Sequence, residues 1–319
     1  MEPSATAEAP RRSDAAPGAG LVRDTPALAA LSPRLIAFNL GYLALSWGAI
    51  LGALALYWAH QRWYVFALAF LVISSRQQAL LNCEHECVHR KFLPRKRWND
   101  LVGRWLCAAP VGSPFGSAKV RHLTHHRLLG SAEDPDRELH EGPDKRTRGG
   151  LAWHFVGGVL GGYAGMVLLG PPDRSTARGA GSARADLIAI GLVQAALATG
   201  LTVAFAWWVY PALWLAPLAT FTVGAHLLRS FVEHAITDSE KATAHVNRLI
   251  TIRSNLLERS LVSPYYMNYH AEHHLNPAVP APRLGELQQR LADRDDTPPV
   301  LLRSSYGQAV RRYARSLSR

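Results

Sequence analysis

The sequence predicts an all-α, multi-pass membrane protein with about four transmembrane helices and a cytoplasmic helical cap. Three observations predict it. Residues 35–59 and 187–228 hold no Asp, Glu, Lys or Arg. Lys and Arg cluster beside the apolar stretches rather than within them. Eight of the 14 His fall into three tight groups, each just outside an apolar stretch or far from one.

Residues 1–33 are rich in Ala, Pro, Arg and Ser. They lack the apolar core of a signal peptide and are expected to be a disordered tail. The folded unit is expected to run from 34 to 315. Its first helix is placed at 35–59, since a crossing needs about 20 apolar residues. After His60-Gln61-Arg62 a second helix crosses at 63–82. It runs on through "SSRQQALLNCEHECVHR", so its polar end leaves the bilayer carrying His85 and His89. Arg90, Lys91, Arg95, Lys96 and Arg97 follow and mark that end as cytoplasmic.

Parity places the rest. If the three His groups work together, an even number of crossings separates the second from the third. Three apolar candidates lie between them: 151–169, 187–209 and 211–229. The first has basic residues on both flanks (Lys145, Arg146 and Arg148; Arg174, Arg178 and Arg184) and five glycines, so it is read as interfacial or re-entrant. The other solution has 151–169 crossing and 212–228 lying flat. Tyr210-Pro211 marks the turn between the last two crossings. Beyond the third His group, Pro277, Pro280 and Pro282 mark a turn. "RLGELQQRLADRDD" reads as helix. "YGQAVRRYARSLSR" reads as a basic amphipathic helix suited to a lipid surface. No internal repeat is visible.

The net charge of +11 suits a membrane surface or an acidic protein partner. No nucleic-acid motif is present. Three Cys exclude a disulfide framework, and Cys83, Cys87 and Cys107 are expected as reduced packing residues.

The groups are His85 and His89; His122, His125 and His126; His270, His273 and His274. Offsets of i, i+3 and i+4 share one helix face, with side-chain roots about 5–6 Å apart. Imidazoles so placed can converge on one metal or on two adjacent metals. His234, beyond the end of the last apolar stretch, reaches the same zone, while His226 lies two turns deeper. His60, His140, His154 and His245 read as ordinary residues.

His85-Glu86-x-x-His89 on its own is the pattern of a zinc protease. That chemistry needs one further ligand and a Glu as base, and has no use for two His-x-x-His-His groups. Eight or nine imidazoles suit two metals with open positions, and imidazole suits iron, zinc and copper. An open, redox-capable pair at a membrane surface points to iron and dioxygen. Glu86 then orients a ligand imidazole. Glu84, Glu233 and Glu272 adjoin ligands, Asp134 and Asp136 follow the second group closely, and all five are candidates for that same task; Asn268 is a polar candidate near the metals.

"HECVH", "HLTHH" and "HAEHH", in that order among these apolar stretches, resemble the three histidine boxes of the integral-membrane fatty acid desaturases and the wider desaturase/hydroxylase superfamily. "HHRLLGSAEDPD", Arg229 and "VEH" extend the resemblance over about residues 35–315. It implies a non-haem di-iron centre, two Fe ions held by His85, His89, His122, His125, His126, His270, His273 and His274, with His234 as a ninth ligand. It also implies dioxygen-dependent oxidation of a long acyl chain of a lipid. Some animal acyl-CoA desaturases carry Asn four residues before the equivalent of His234; here Ser230 stands there. No His-Pro-Gly-Gly of a fused cytochrome b5 occurs, so electrons are expected from a separate donor, a ferredoxin or similar carrier. Hydroxylation or ketolation of a lipid or carotenoid on the same centre is the alternative, and a membrane zinc metalloprotease the remote one.

Overall fold

The computed structural model describes residues 26–163, 180–237, 240, 248–292 and 300–317. The expected tail and the second part of segment 151–169 therefore fall largely outside the described residues, as does His245. The fold is almost wholly helical. Among the described residues, four helices are long and apolar enough to cross a membrane: Pro33–His60, Trp63–Val88, Ala183–Ala204 and Pro211–Val232.

The first helix, α1 (Pro33–His60), starts where Ser32 accepts a hydrogen bond from Leu35 N–H and Pro33 presets the first turn. Its buried face repeats at helical spacing through Leu35, Asn39, Leu43, Ser46, Ile50 and Leu54. Leu45 and Leu51 point outward, as lipid-facing residues do. A left-handed Gln61 ends α1 and turns the chain straight into α2 (Trp63–Val88), which packs along it.

The second half of α2 buries Ser74, Ser75, Gln77, Gln78, Asn82, Glu84 and Glu86. Such groups are costly away from water unless partnered. Gln77 donates to Trp214 O at 2.9 Å and Asn82 to Pro264 O at 2.7 Å. Ser75 donates to Ser260 O at 2.6 Å. These bonds tie α2 to the last membrane helix and to the segment before the third histidine group.

The cap begins with α3 (Lys96–Val102) and a π-helical turn, Gly103–Ala108. Gly103 sits where a Cβ would fall 2.6 Å from the Phe115 ring and 2.8 Å from Cys87 Cβ, so only Gly allows this crossing. Next, α4 (Phe115–Leu128) carries the second histidine group. Asp186 Oδ2 accepts from Gly116 N–H at 2.8 Å, and its Oδ1 accepts from Arg104 Nε at 2.8 Å. A carboxylate at a helix N-terminus complements the exposed N–H groups and the helix dipole. The short α5 (Arg137–Glu141) and α6 (Arg148–Val159) follow.

The α7 helix (Ala180–Ala204) starts and stops earlier than the expected 187–209. The run Pro211–Val232 is α8. It holds π-helical turns at Pro211–Leu215 and Leu218–Thr222, each opening at or next to a proline, whose missing N–H breaks the regular ladder. Helix α6 lies along α8: a Cβ on Gly158 would come 3.4 Å from Gly224 Cα.

A short parallel strand pair, β1 (Ile250–Ile252) and β2 (Leu301–Arg303), is an addition to the all-α expectation. The α9 helix (Leu256–Leu261) opens on a capping box of Asn255 and Glu258. Then α10 (His270–Leu275) carries the third histidine group, and α11 (Leu284–Ala292) and α12 (Tyr306–Ser316) close the cap.

Candidate metal centre

Nine imidazoles converge in two adjacent sets. His85 and His89 from α2, His122 and His126 from α4 and His273 from α10 form one; His125, His234, His270 and His274 form the other. Within each set, one nitrogen per residue lies within 4.8 Å of all the others. Both His-x-x-His-His groups straddle the pair. The i, i+4 residues (His122 and His126; His270 and His274) serve one set, and the residue between them serves the other.

The facing atoms are Nε2. His89 and His122 stand 2.8 Å apart, His122 and His126 2.9 Å, and His126 and His273 3.0 Å. In the second set His125 and His234 are 3.2 Å apart, His234 and His270 3.0 Å, and His270 and His274 3.0 Å. Each Nε2 carries either one proton or one lone pair. His122, His126, His234 and His270 each face two other Nε2 atoms, so these contacts cannot all be hydrogen bonds. Among the described residues, His85 has no hydrogen-bond partner at either ring nitrogen. Converging lone pairs with no proton to share are what a cation satisfies, so the donor set fits a metal in each cluster. Burial holds His89 down to about 3. Burial, reinforced by charged neighbours, also holds His122, His126, His234, His270, His273 and His274 well below the ordinary imidazole value. Neutral imidazole is the form that ligates.

Among the acids expected to orient ligands, Asp134 lies against His125: His125 Nδ1 donates to Asp134 Oδ1 at 2.8 Å. Asp136 donates its N–H to Asp134 Oδ1 at 2.9 Å, and its own carboxylate accepts from Arg121. Glu233 Oε2 is 3.5 Å from His270 Nδ1. The other three acids, Glu84, Glu86 and Glu272, are turned elsewhere, as is Asn268. Glu86 accepts from Ala281 N–H at 3.1 Å. Glu272 accepts from Thr251 Oγ1 at 2.6 Å and Gln288 Nε2 at 3.0 Å. Asn268 donates to Ile252 O at 3.0 Å. Each neighbours a ligand in sequence, but one or two residues along a helix or turn points it to another face. Glu84, likewise, accepts from Ser113. Cys83, Cys87 and Cys107 are buried free thiols and join neither cluster.

Two features were not legible. His140 is buried, with its ring centroid 5.3 Å from that of His234 and its Nε2 3.8 Å from Asp134 Oδ2. Its only sequence signal was proximity to "EDPD". Asp186, which sets the start of α4, lay hidden at the edge of an apolar run.

One cavity of about 960 Å³ opens on both clusters, reaching His85 and His122 of the first and His125, His234 and His270 of the second. It runs between α2, α4, α6 and α8. Leu218 and Val223 lie at its membrane end, and Asp144, Lys145 and His154 lie on its cap side.

Two adjacent imidazole clusters that fit metal ions thus stand beside one cavity, in a helical fold with four candidate membrane spans among the described residues. The fatty acid desaturase family matches residues 61–305, and the chain belongs to that family, whose members are oxidoreductases. It is similar to a dihydrorhizobitoxine desaturase of Bradyrhizobium elkanii, 25% identical over 238 residues, 68% of this chain. It spans 65% of that relative's length, just under two thirds. It is also similar to a β-carotene ketolase of a Paracoccus species, 26% identical over 76% of this chain and 90% of the relative. An sn-1 acyl-lipid omega-3 desaturase (ferredoxin) of a Nostoc species is 30% identical over 74 residues, 23% of this chain and 20% of the relative.

Proposed function

We propose that the chain is a membrane di-iron oxygenase that desaturates an acyl chain, using dioxygen and electrons from a separate carrier protein. The observation that carries the reading is the pair of imidazole sets, five and four, side by side on one cavity. Nitrogen-only donors with neutral rings suit a redox-active metal, and the family supplies iron. Two iron ions there would provide the oxidising power to activate dioxygen and remove hydrogen from an unactivated C–H bond.

The nine histidines, His85, His89, His122, His125, His126, His234, His270, His273 and His274, are the proposed ligands. Asp134 fixes the His125 ring by holding its Nδ1 proton, which leaves Nε2 free to ligate. Glu233 stands near His270 Nδ1 for the same task. Leu218 and Val223 receive the alkyl tail, and the cavity wall sets which methylene faces the metals. By the parity argument, and with Arg90, Lys91 and Arg95–Arg97 just past α2, the site lies on the cytoplasmic side. The basic cap suits an acidic donor such as a ferredoxin. Its similarity to a ketolase along 90% of that protein favours oxygen insertion as the second reading.

The test is to purify the chain in detergent with its iron, supply a ferredoxin and reductase, and analyse products by mass. Desaturation removes two hydrogens, and ketolation adds oxygen. His125→Ala should lose iron and turnover, and Cys87→Ser neither. Full turnover in His125→Ala, or zinc in place of iron, defeats the reading.

A further inference from the structure

The short α9 helix is pinned to the side of α2. Ser75 Oγ donates to Ser260 O at 2.6 Å, and Arg76 Nη2 donates to the same oxygen at 3.4 Å. That contact fixes how deep α9 stands. At the end where α1 turns into it, α2 opens on Trp63 and Tyr64, both exposed, and exposed aromatics at a helix end mark a membrane–water boundary. Ser75 lies twelve residues further along, about 18 Å at 1.5 Å per residue, and tilt only shortens that height. The hydrocarbon layer is about 30 Å thick. So α9 stands inside the leaflet on the side of the metal centre, not above it.

The outward surface agrees with that depth. Leu68 and Leu71 of α2 are exposed, and after them no residue of α2 is exposed up to its end at Val88. At the level of Ser75 the α9 helix covers α2, and it turns apolar side chains outward: Leu256 is 82% and Leu257 67% exposed. The basic helix α12, whose sequence suits a lipid surface, has its apolar side chains covered instead. Val310 and Tyr313 pack on the cluster of Phe231, Val232 and Ile250.

The charge around α9 is of one sign. Its acid, Glu258, is turned to the backbone: Oε1 accepts from Tyr306 N–H at 3.0 Å and Oε2 from Asn255 N–H at 3.3 Å. Arg253 and Arg259 are exposed. Arg259 donates to Arg253 O at 2.8 Å and to Ser254 Oγ at 3.3 Å, and Arg76 donates to Ser75 Oγ at 2.7 Å. These acceptors are neutral, so among the described residues the three guanidinium charges meet no carboxylate. A guanidinium left in hydrocarbon is costly. A long side chain avoids that cost by reaching up to the headgroup level, where a phosphate accepts two N–H bonds from one guanidinium. An acidic soluble protein carries the same sign of charge but cannot reach a helix inside the leaflet. We infer that residues 253–261 form a lipid-binding edge: Leu256 and Leu257 lie among the acyl chains of that leaflet, and Arg76, Arg253 and Arg259 hold phosphates of anionic lipids. The inference rests on the membrane spans and not on the reaction.

The experiment puts a nitrobenzoxadiazole fluorophore on Leu257→Cys of the full chain in lipid bilayers. Cys83, Cys87 and Cys107 are buried, which leaves the label to residue 257. Brominated phosphatidylcholine should quench the label, and iodide in the water should not. The reverse pattern overturns the inference. So does an iodide quenching that an added acidic ferredoxin removes, which would make α9 a surface for a protein. The charge is tested by comparing brominated phosphatidylglycerol with brominated phosphatidylcholine at the same mole fraction, which reads the lipid preference beside residue 257. Phosphatidylglycerol should be favoured about fivefold or more, since one arginine near an anionic headgroup is worth about that factor. Arg253→Gln together with Arg259→Gln should lower the preference about fivefold or more while iron content stays at the wild-type level. Equal quenching by the two lipids with the arginines intact overturns the inference, and so does a preference that the double variant keeps in full. Both readings are made without turnover, so failure of the lipid edge leaves the oxygenase reading standing, and loss of turnover leaves the lipid edge standing.

Discussion

Replacing Asp134 by Ala should separate the two metal positions. Asp134 is 5% exposed, and its Oδ1 accepts the Nδ1 proton of His125 at 2.8 Å. Burial alone would push this carboxyl up. The hydrogen bonds from His125 and from the Asp136 N–H outweigh that and hold it below the ordinary value, so it is a carboxylate at neutral pH. His125 belongs to the four-histidine set, and no member of the five-histidine set hydrogen-bonds to Asp134 among the described residues. Losing a carboxylate behind a ligand histidine costs about 10–100-fold in metal affinity, or about 1.4–2.7 kcal/mol. The cost should fall on one metal of the pair. The assay is iron per chain, for wild type and variant, across a chelator series. One iron of Asp134→Ala should leave at about 10–100-fold lower chelator while the other follows wild type. Asp134→Asn keeps an acceptor oxygen and should fall between. Parallel loss of both irons, or a curve identical to wild type, would refute the reasoning.

Three further outcomes follow from the same geometry. Gly103→Ala puts a methyl 2.6 Å from the Phe115 ring and 2.8 Å from Cys87 Cβ. It should destabilise the chain by about 1–3 kcal/mol, read as a lower melting temperature that Phe115→Leu partly restores. The iron-free chain should weaken in acid. His89 falls from an ordinary 6.5 to about 3 in the fold, so the unfolded chain binds protons that the fold refuses, and stability is full above about pH 6.5 and lost as pH falls toward 3. A melting temperature that holds or rises from pH 7 to pH 5 would contradict the buried neutral rings. Glu86→Gln should keep oxidation within about tenfold of wild type, because the amide oxygen still accepts from Ala281 N–H. A general base lost would cost about 10²–10⁴ in rate, which a direct rate comparison distinguishes.

The long helices were legible because lipid and helix geometry both write simple patterns. An apolar run between Arg34 and Arg62 gives α1, the uncharged run over 187–228 gives α7 and α8, and the His offsets give one face of α4 and α10. The end of α7 was not legible. "AFAWWVY" reads as apolar whether it continues a helix or turns, and the helix stops at Ala204. Strands of three residues are too short for an alternating pattern to stand out. Side chains packed across the fold are harder still: nothing near Asp186 in the chain announces that it caps α4, more than sixty residues earlier.

The ligand histidines and their supports differ in how far the chain constrains them. A ligand must share a face with other ligands, so spacing betrays it. A supporting acid need only touch one ring, and any element can supply it. Asp134 reaches His125 from the loop just after α4. Glu86 is adjacent to His85, yet one residue is about a hundred degrees around a helix, and its carboxylate meets Ala281 instead. The same geometry disposes of the protease reading of His85-Glu86-x-x-His89. A metalloprotease needs that Glu to face the metal-bound water. Here it faces the chain beyond the third histidine group, where it joins α2 to the segment leading into α11.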